Sequence, residues 1–181
     1  MRMPVLEIVK VPHAILRERA RPVTRITDAT HRLVADMIET MKQAPGVGLA
    51  APQVGIPQRL FVYDVGDGPG AILNPEIVER SGTEVGIEGC LSIPRLEGDV
   101  ERAARVVVIG LDARGKRVRI EAEELLARVF QHEIDHLDGV LFTDRAIQSS
   151  LHWVTPEEEE ERRRKRDGRR RGGAREPAAT G

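Results

Sequence analysis

Apolar and polar positions along this chain follow two periods, one near 3.6 and one near 2, and the segments in which each holds are short. From 26 to 46, ITDATHRLVADMIETMKQAPG sets Leu33, Val34, Met37, Ile38 and Met41 at three- and four-residue steps, which predicts an amphipathic helix. Thr27 or Asp28 is the expected cap, and Pro45 and Gly46 the expected stop. RLFVYD (59–64) and AILN (71–74) are short β-rich runs. RVVVIGLDARGKRVRIE (105–121) predicts a hairpin, two β-branched strands around Asp112-Ala113-Arg114-Gly115. EAEELLARVFQHEIDHLDG (121–139) reads as one helix, with Leu125, Val129, His132, Glu133 and His136 close to one face and Gly139 as its stop. Strands early and a helix late predict an α+β class: mostly antiparallel strands around a central helix carrying the two histidines, plus an N-terminal helix.

This patterning ends near residue 154. We expect one folded domain at 1–153 and a charged tail at 154–181, TPEEEEERRRKRDGRRRGGAREPAATG being nearly devoid of residues that could be buried. The tail opens like a helix. Thr155 is its cap, Pro156 its first residue and Glu158 the partner in a capping box. Glu158–Arg162, Glu159–Arg163, Glu160–Arg164 and Glu161–Lys165 are i,i+4 pairs in the favourable order. Beyond that start, a charge run predicts a solvated, disordered end. The chain has no internal repeat.

Composition narrows the class. A length of 181 residues suggests a single domain large enough to bury a core, and 40% apolar with 31% charged residues reads as soluble and globular. Aromatics are only 3%, so that core must be mostly aliphatic. The net charge of −1 gives no whole-chain pull toward nucleic acid or membrane. No run approaches the ~20 apolar residues of a membrane-spanning helix. MRMPVLEIVKVP lacks the apolar stretch of a signal peptide, and a single cysteine, Cys90, permits no internal disulfide; both predict a cytoplasmic protein.

The chemistry is concentrated in FQHEIDHLDG (130–139). On a helix, His132 and His136 project from one side and can reach a single ion, while Glu133 can meet a bound water as acid and base. Two histidines do not hold a catalytic metal, and three third ligands are conceivable. The extension HExxHxxGxxH is followed through Gly139, but position 142 is Phe, which cannot bind metal. Glu157 to Glu161 lie at the distance used by another peptidase class, within a charge run that looks solvated. Upstream stands Cys90 in GIEGCLSIP. A lone cysteine is ordinarily a small buried hydrophobe. Here its glycine-flanked segment lets backbone approach a ligand, and a thiolate completes a Cys-His-His shell with a fourth position open. A thiolate also widens the choice of metal to Fe(II), Zn, Ni or Co.

Three motifs in this order resemble those of the peptide deformylases: GVGLAAPQVG (46–55), EGCLS (88–92) and QHEIDHLDG (131–139), with the resemblance covering about residues 4–145. The resemblance implies a metal-dependent hydrolase that removes the N-formyl group from the formylmethionine of nascent proteins. It implies Cys90, His132 and His136 as metal ligands, Fe(II) as the working metal, and Glu133 as general acid and base. Gln53 and the backbone N–H of Leu91 would donate to the oxyanion, and the backbone of Gly48 would bind substrate. A formyl amide is unreactive, so the reaction needs an activated water, a proton carrier such as Glu133 and oxyanion donors worth ~3 kcal/mol each.

Other features take their place beside this reading. A glycine-rich GVGLAAPQVG could suggest a nucleotide loop, but a helix rather than a strand leads into it and no Lys-Ser or Lys-Thr follows. The methionine side chain needs an apolar pocket, for which Leu125, Val129 and Val47 are candidates. Neither Arg95 nor Arg102 matches the arginine expected after EGCLS; Arg102 could instead pair with Glu88 and position the cysteine loop. Residues 162–175 hold nine basic side chains, enough for contact with ribosomal RNA. The competing functions are an HExxH metallopeptidase, against which Phe142 argues, and a metal-stabilised RNA-binding protein resting on the basic tail.

Overall fold

The computed structural model describes residues 4–172, with side chains through residue 165. In chain order it contains α1 (Asp28–Gln43), β1 (Gly48–Ala50), β2 (Leu60–Tyr63), β3 (Gly70–Ser81), β4 (Glu84–Cys90), β5 (Ile93–Arg102), β6 (Arg105–Leu111), β7 (Arg117–Glu123), α2 (Glu124–Leu137), α3 (Phe142–Arg145), β8 (His152–Trp153) and α4 (Pro156–Gly172). The strands form two antiparallel sheets, one ordered β1-β2-β3-β6-β7 and one β4-β5-β8. No helix among the described residues is long and apolar enough to cross a membrane.

The period-2 pattern of the larger sheet sorts its side chains into two cores. Leu49, Leu60, Val62 and Leu73 pack with Val34, Met37 and Met41 of α1. The alternate positions, Ala50, Phe61 and Ile72, pack with Ala127, Phe130, Ile134 and Leu137 of α2. β2 is therefore covered on both faces, which explains why LFVY is a continuous apolar run. Each fully buried Leu or Phe here contributes about 1.5–3 kcal/mol. A third cluster, Leu16, Ile93, Val100, Leu141, Phe142 and Ala146, ties the small sheet to α3 and the one-turn helix Ala14–Arg17. α2 lies late in the chain, after seven of the eight strands. Its apolar side rests on the large sheet, and its polar side chains reach the small one.

The expected start of α1 holds, while other boundaries move. α1 begins after Thr27, which forms a capping box with Thr30. The segment 121–139 is not one helix: residues 121–123 finish β7, because Ala122 pairs with Val106 and Glu123 with Arg105 across the hairpin. The chain then turns at Glu124, whose φ is 52°, and the helix follows. AILN extends into a twelve-residue strand whose register shifts past Asn74-Pro75. That shift hides the strand from a strict alternation rule. β4 and β5 escaped the sequence reading because their polar residues do not alternate with a simple apolar face.

The tail begins as expected, with Glu158 N–H donating to Thr155 Oγ1 (3.2 Å) and Thr155 N–H to Glu158 Oε2 (2.8 Å). Glu160–Arg164 and Glu161–Lys165 are paired. Arg162, expected to pair with Glu158, instead donates to Glu97 of β5 at 2.5 Å. α4 runs on to Gly172, so the helix outlasts the expected short start. The disordered end expected at the terminus lies in part, at 173–181, outside the described residues.

Candidate metal centre

α2 carries His132 and His136 one turn apart, their rings edge to face with centroids 4.9 Å apart. His132 is oriented through Nδ1, which lies 2.9 Å from Glu88 Oε2, leaving Nε2 to face the site. Behind it the ring stacks on Phe142 at 6.3 Å. The residue that occupies the third-ligand position of a longer protease motif is thus a buried support for the imidazole. β4 brings Cys90 to the same place. A register shift between Gly89 and Cys90 ends the ladder there, and Sγ lies 3.2 Å from His136 Nε2.

The donor atoms of Cys90, His132 and His136 all lie within 4.8 Å of one another. Ligands 2.0–2.3 Å from one tetrahedral ion sit roughly 3.3–3.6 Å apart, so the set is close to the spacing a metal requires. The donor chemistry agrees. Burial opposes the Cys90 thiolate, but the charge of His136 and hydrogen bonds to both histidines hold the thiol well below its ordinary range. The residues present therefore fit a divalent metal with three protein ligands and one open position.

Glu133 points into this centre from the next position on α2. Burial pushes its carboxyl up to about 7, partly opposed by His132 and His136. Its Oε2 is buried and has no hydrogen-bond partner among the described residues. A buried carboxyl oxygen without a partner is costly unless something binds it, and a reacting water would. The other oxygen lies against Gly48: a Cβ built there would stand 2.3 Å from Glu133 Oε1.

Gln53 and Leu91 flank the sulfur. Gln53 lies in the one-turn helix Ala51–Val54 and is buried. Its Oε1 accepts from Ala50 N–H (2.9 Å), which fixes the amide so that Nε2 donates to Ser92 Oγ (3.2 Å) and lies 3.6 Å from Cys90 Sγ. Leu91 follows Cys90 directly, and its carbonyl accepts from Lys10 Nζ at 2.9 Å. Val47, Gly48, Leu125 and Val129 line one hollow of about 150 Å³ beside His132 and Glu133. Val129 is its buried floor, whereas Val47 and Leu125 are half exposed at its mouth.

The Arg102–Glu88 pair forms, and it is part of something larger. Arg102 Nε and Nη2 donate to Glu88 at 2.8 and 2.9 Å, and Nη1 to Asp135 Oδ2 at 2.5 Å. Arg145 closes the chain with two bonds to Asp135, and Arg128 Nη1 gives Glu88 a second cation at 2.9 Å. Burial raises the Glu88 carboxyl, but hydrogen bonds from Arg102 and His132 outweigh it and hold the group at about 2. The purpose sharpens: the pair orients His132 as well as the cysteine strand. Arg95 is directed elsewhere, its Nε donating to Val154 C=O. Sequence reasoning missed Ser92, Arg128, Asp135 and Arg145, as well as Ile87 at the pocket rim. Ile87 could have been found from its place one residue before Glu88. Ser92 could have been found the same way, its N–H donating to Cys90 Sγ two residues back at 3.4 Å, whereas Arg128, Asp135 and Arg145 act through contacts 10 to 40 residues apart, which no local pattern carries.

Residues 5–151 match the family model described as polypeptide deformylase. A peptide deformylase of Halothermothrix orenii is 55% identical over 148 residues, covering 81% of this chain and 96% of that protein. One of Symbiobacterium thermophilum is 57% identical over 146 residues, 79% of this chain and 67% of that one. Among solved structures, the peptide deformylase of Thermotoga maritima is similar with a TM-score of 0.78 and 50% identity, covering 79% of this chain and 98% of that one.

Proposed function

As a member of the polypeptide deformylase family, the chain is a hydrolase that removes N-formyl groups from nascent proteins, and we propose that Cys90, His132 and His136 hold its metal while Glu133 carries the proton. The observation that bears most weight is the buried oxygen of Glu133, without a partner among the described residues, beside a sulfur and two imidazoles that fit one ion. When bound there, a divalent ion lowers the pKa of water and polarises a carbonyl.

The residues supply the rest. Glu133, whose buried Oε2 has no partner among the described residues, takes the proton of the attacking water and returns it to the amine nitrogen as the C–N bond breaks. Formate and a free methionyl amine are the products, so the atoms balance with one water consumed. The Gln53 amide and the Leu91 N–H donate to the negative oxygen of the tetrahedral intermediate, each about 3 kcal/mol if well aimed. Val47, Leu125 and Val129 receive the methionine side chain, and the Gly48 backbone binds the peptide.

We further propose Fe(II) as the working metal, with Zn, Ni or Co able to replace it in the same donor set. The division into a catalytic domain at 1–153 and an appended tail from 154 belongs to the same reading, as does a cytoplasmic location, where nascent chains emerge. The basic side of the tail is proposed to contact the ribosome. The peptidase and RNA-binding alternatives are not favoured. Anaerobic purification with metal analysis, followed by a formate-release assay on a formyl-Met peptide, tests the whole reading. Absence of formate from metal-loaded protein would overturn it.

A further inference from the structure

Arg128 lines the 150 Å³ hollow, and its contact with Glu88 accounts for only one of its bonds. It is only 11% exposed, and its guanidinium is spent on the small sheet. Nη2 donates to Glu84 C=O at 3.1 Å, and Nη1 to Val100 C=O and Glu88 Oε1, both at 2.9 Å, with Gly86 C=O at 3.4 Å. Among the described residues β4 is an edge strand, paired only with β5. One side chain of α2 therefore ties the backbone of that edge to the helix floor of the pocket. Gly86 makes this possible: a Cβ there would stand 3.0 Å from Arg128 Cζ and Nη2. The strand so held carries Ile87, 62% exposed at the pocket rim, and Glu88, which orients His132.

We propose that Arg128 is a positioning residue that fixes the distance between β4 and α2, and thereby sets the side-chain selectivity of the pocket. The inference rests on the deformylase reading, in which this pocket takes the first side chain of the peptide. A planar fork with donors on two nitrogens is required, because the acceptors lie on two strands and one carboxylate. A lysine ammonium restores charge next to Glu88 but cannot span all of them. Without the fork, β4 is free to move off α2, the opposite walls Ile87 and Val129 separate, and a wider pocket distinguishes methionine from smaller side chains less well.

Three variants test this: Arg128→Leu, Arg128→Lys and Gly86→Ala. Each is assayed on formyl-Met and formyl-Ala peptides, and in parallel for binding of the deformylated methionyl and alanyl peptides by calorimetry. Discrimination by an apolar pocket is worth about 10–200-fold, so loss of its geometry should lower the Met-to-Ala ratio by about tenfold, through KM more than kcat. Arg128→Lys should recover turnover that depends on Glu88 and His132 while leaving selectivity impaired. Gly86→Ala should impair it by crowding the Arg128 fork, with no pocket side chain itself substituted. If Arg128→Leu fails to fold, the other two variants decide. Ratios within twofold of wild type in Arg128→Lys and Gly86→Ala would overturn the proposal. Failure of wild-type turnover would count against the deformylase reading instead, and the ratio of calorimetric Kd values would still test Arg128.

Discussion

A Cβ on Gly48 would lie 2.3 Å from Glu133 Oε1 and 2.8 Å from its Cδ. β1 therefore presses bare backbone against the proposed proton carrier, and Gly48 and Glu133 occupy a space that a methyl group cannot share. Gly48→Ala should displace the carboxylate and reduce kcat by about 10²-fold or more, since misplacing a reacting group by an ångström costs that much. Metal content, read by elemental analysis, should be preserved. Full activity in this variant would mean that the carboxylate need not sit where it does.

Glu133→Gln removes the proton carrier while keeping the shape. Turnover should fall by about 10²–10⁴-fold with metal retained. The same change relieves a buried carboxyl held up at about 7 with one oxygen unpartnered, so urea denaturation at pH 8 should show stability equal to or above wild type. A large loss of stability together with activity would instead assign Glu133 a structural role.

Arg102 stands between two carboxylates, Glu88 and Asp135, with side chains 4% exposed on both sides of the first pair. Arg102→Met leaves both acids buried with fewer cations, a change worth about 3–5 kcal/mol. Because Glu88 orients His132, metal affinity should also drop by about 10–100-fold, measured by competition with a chelator. Unchanged metal content and activity would show that the pair is ornamental to the site.

The Arg17–Asp144 pair ties the one-turn helix Ala14–Arg17 to α3. Arg17 Nη1 donates to Asp144 Oδ2 at 2.5 Å, and Leu141 N–H to the same oxygen at 2.9 Å. The Arg17 hydrogen bond holds the Asp144 carboxyl below its ordinary 3.8. A carboxyl whose folded pKa is depressed adds stability above its unfolded pKa, and loses it as pH falls through the folded value. Both side chains are about half exposed, so Asp144→Asn should cost less than about 1 kcal/mol at pH 7. That difference should shrink below pH 3.8 in denaturation curves taken from pH 7 to 2. A constant difference across that range would remove the charge pair as its cause.

The ribosome contact is tested by removing the tail. Val154 is buried, and its N–H and C=O both bond to Arg95, so the tail is best removed after Thr155, which leaves Val154 in place. The shortened protein should keep its activity on a free formyl peptide and lose ribosome affinity at low salt, by a margin that narrows as salt rises. Equal affinity in a sedimentation assay would leave the tail without that partner.

The sequence by itself determined the elements whose information is local. Helical periodicity placed α1 and most of α2, the β-branched runs placed β2, β6 and β7, and three short motifs named Cys90, His132, Glu133 and His136. Gly139 was legible as a helix stop, with φ of 75°, although a second reason for it was not: a Cβ there would lie 2.5 Å from the Arg17 carbonyl. Tertiary structure decided what depends on distance in space. Cys90 and His136 meet across 46 positions, and Glu88 and His132 across 44. The boundary at Glu123 was settled by its partner in β6, and the use of Arg162 by Glu97, 65 positions away. Periodicity reports which face of an element is buried, because burial repeats with the backbone. It carries no record of which charge lies on the opposing strand, and the network through Arg102, Asp135 and Arg128 that orients His132 is made entirely of such pairings.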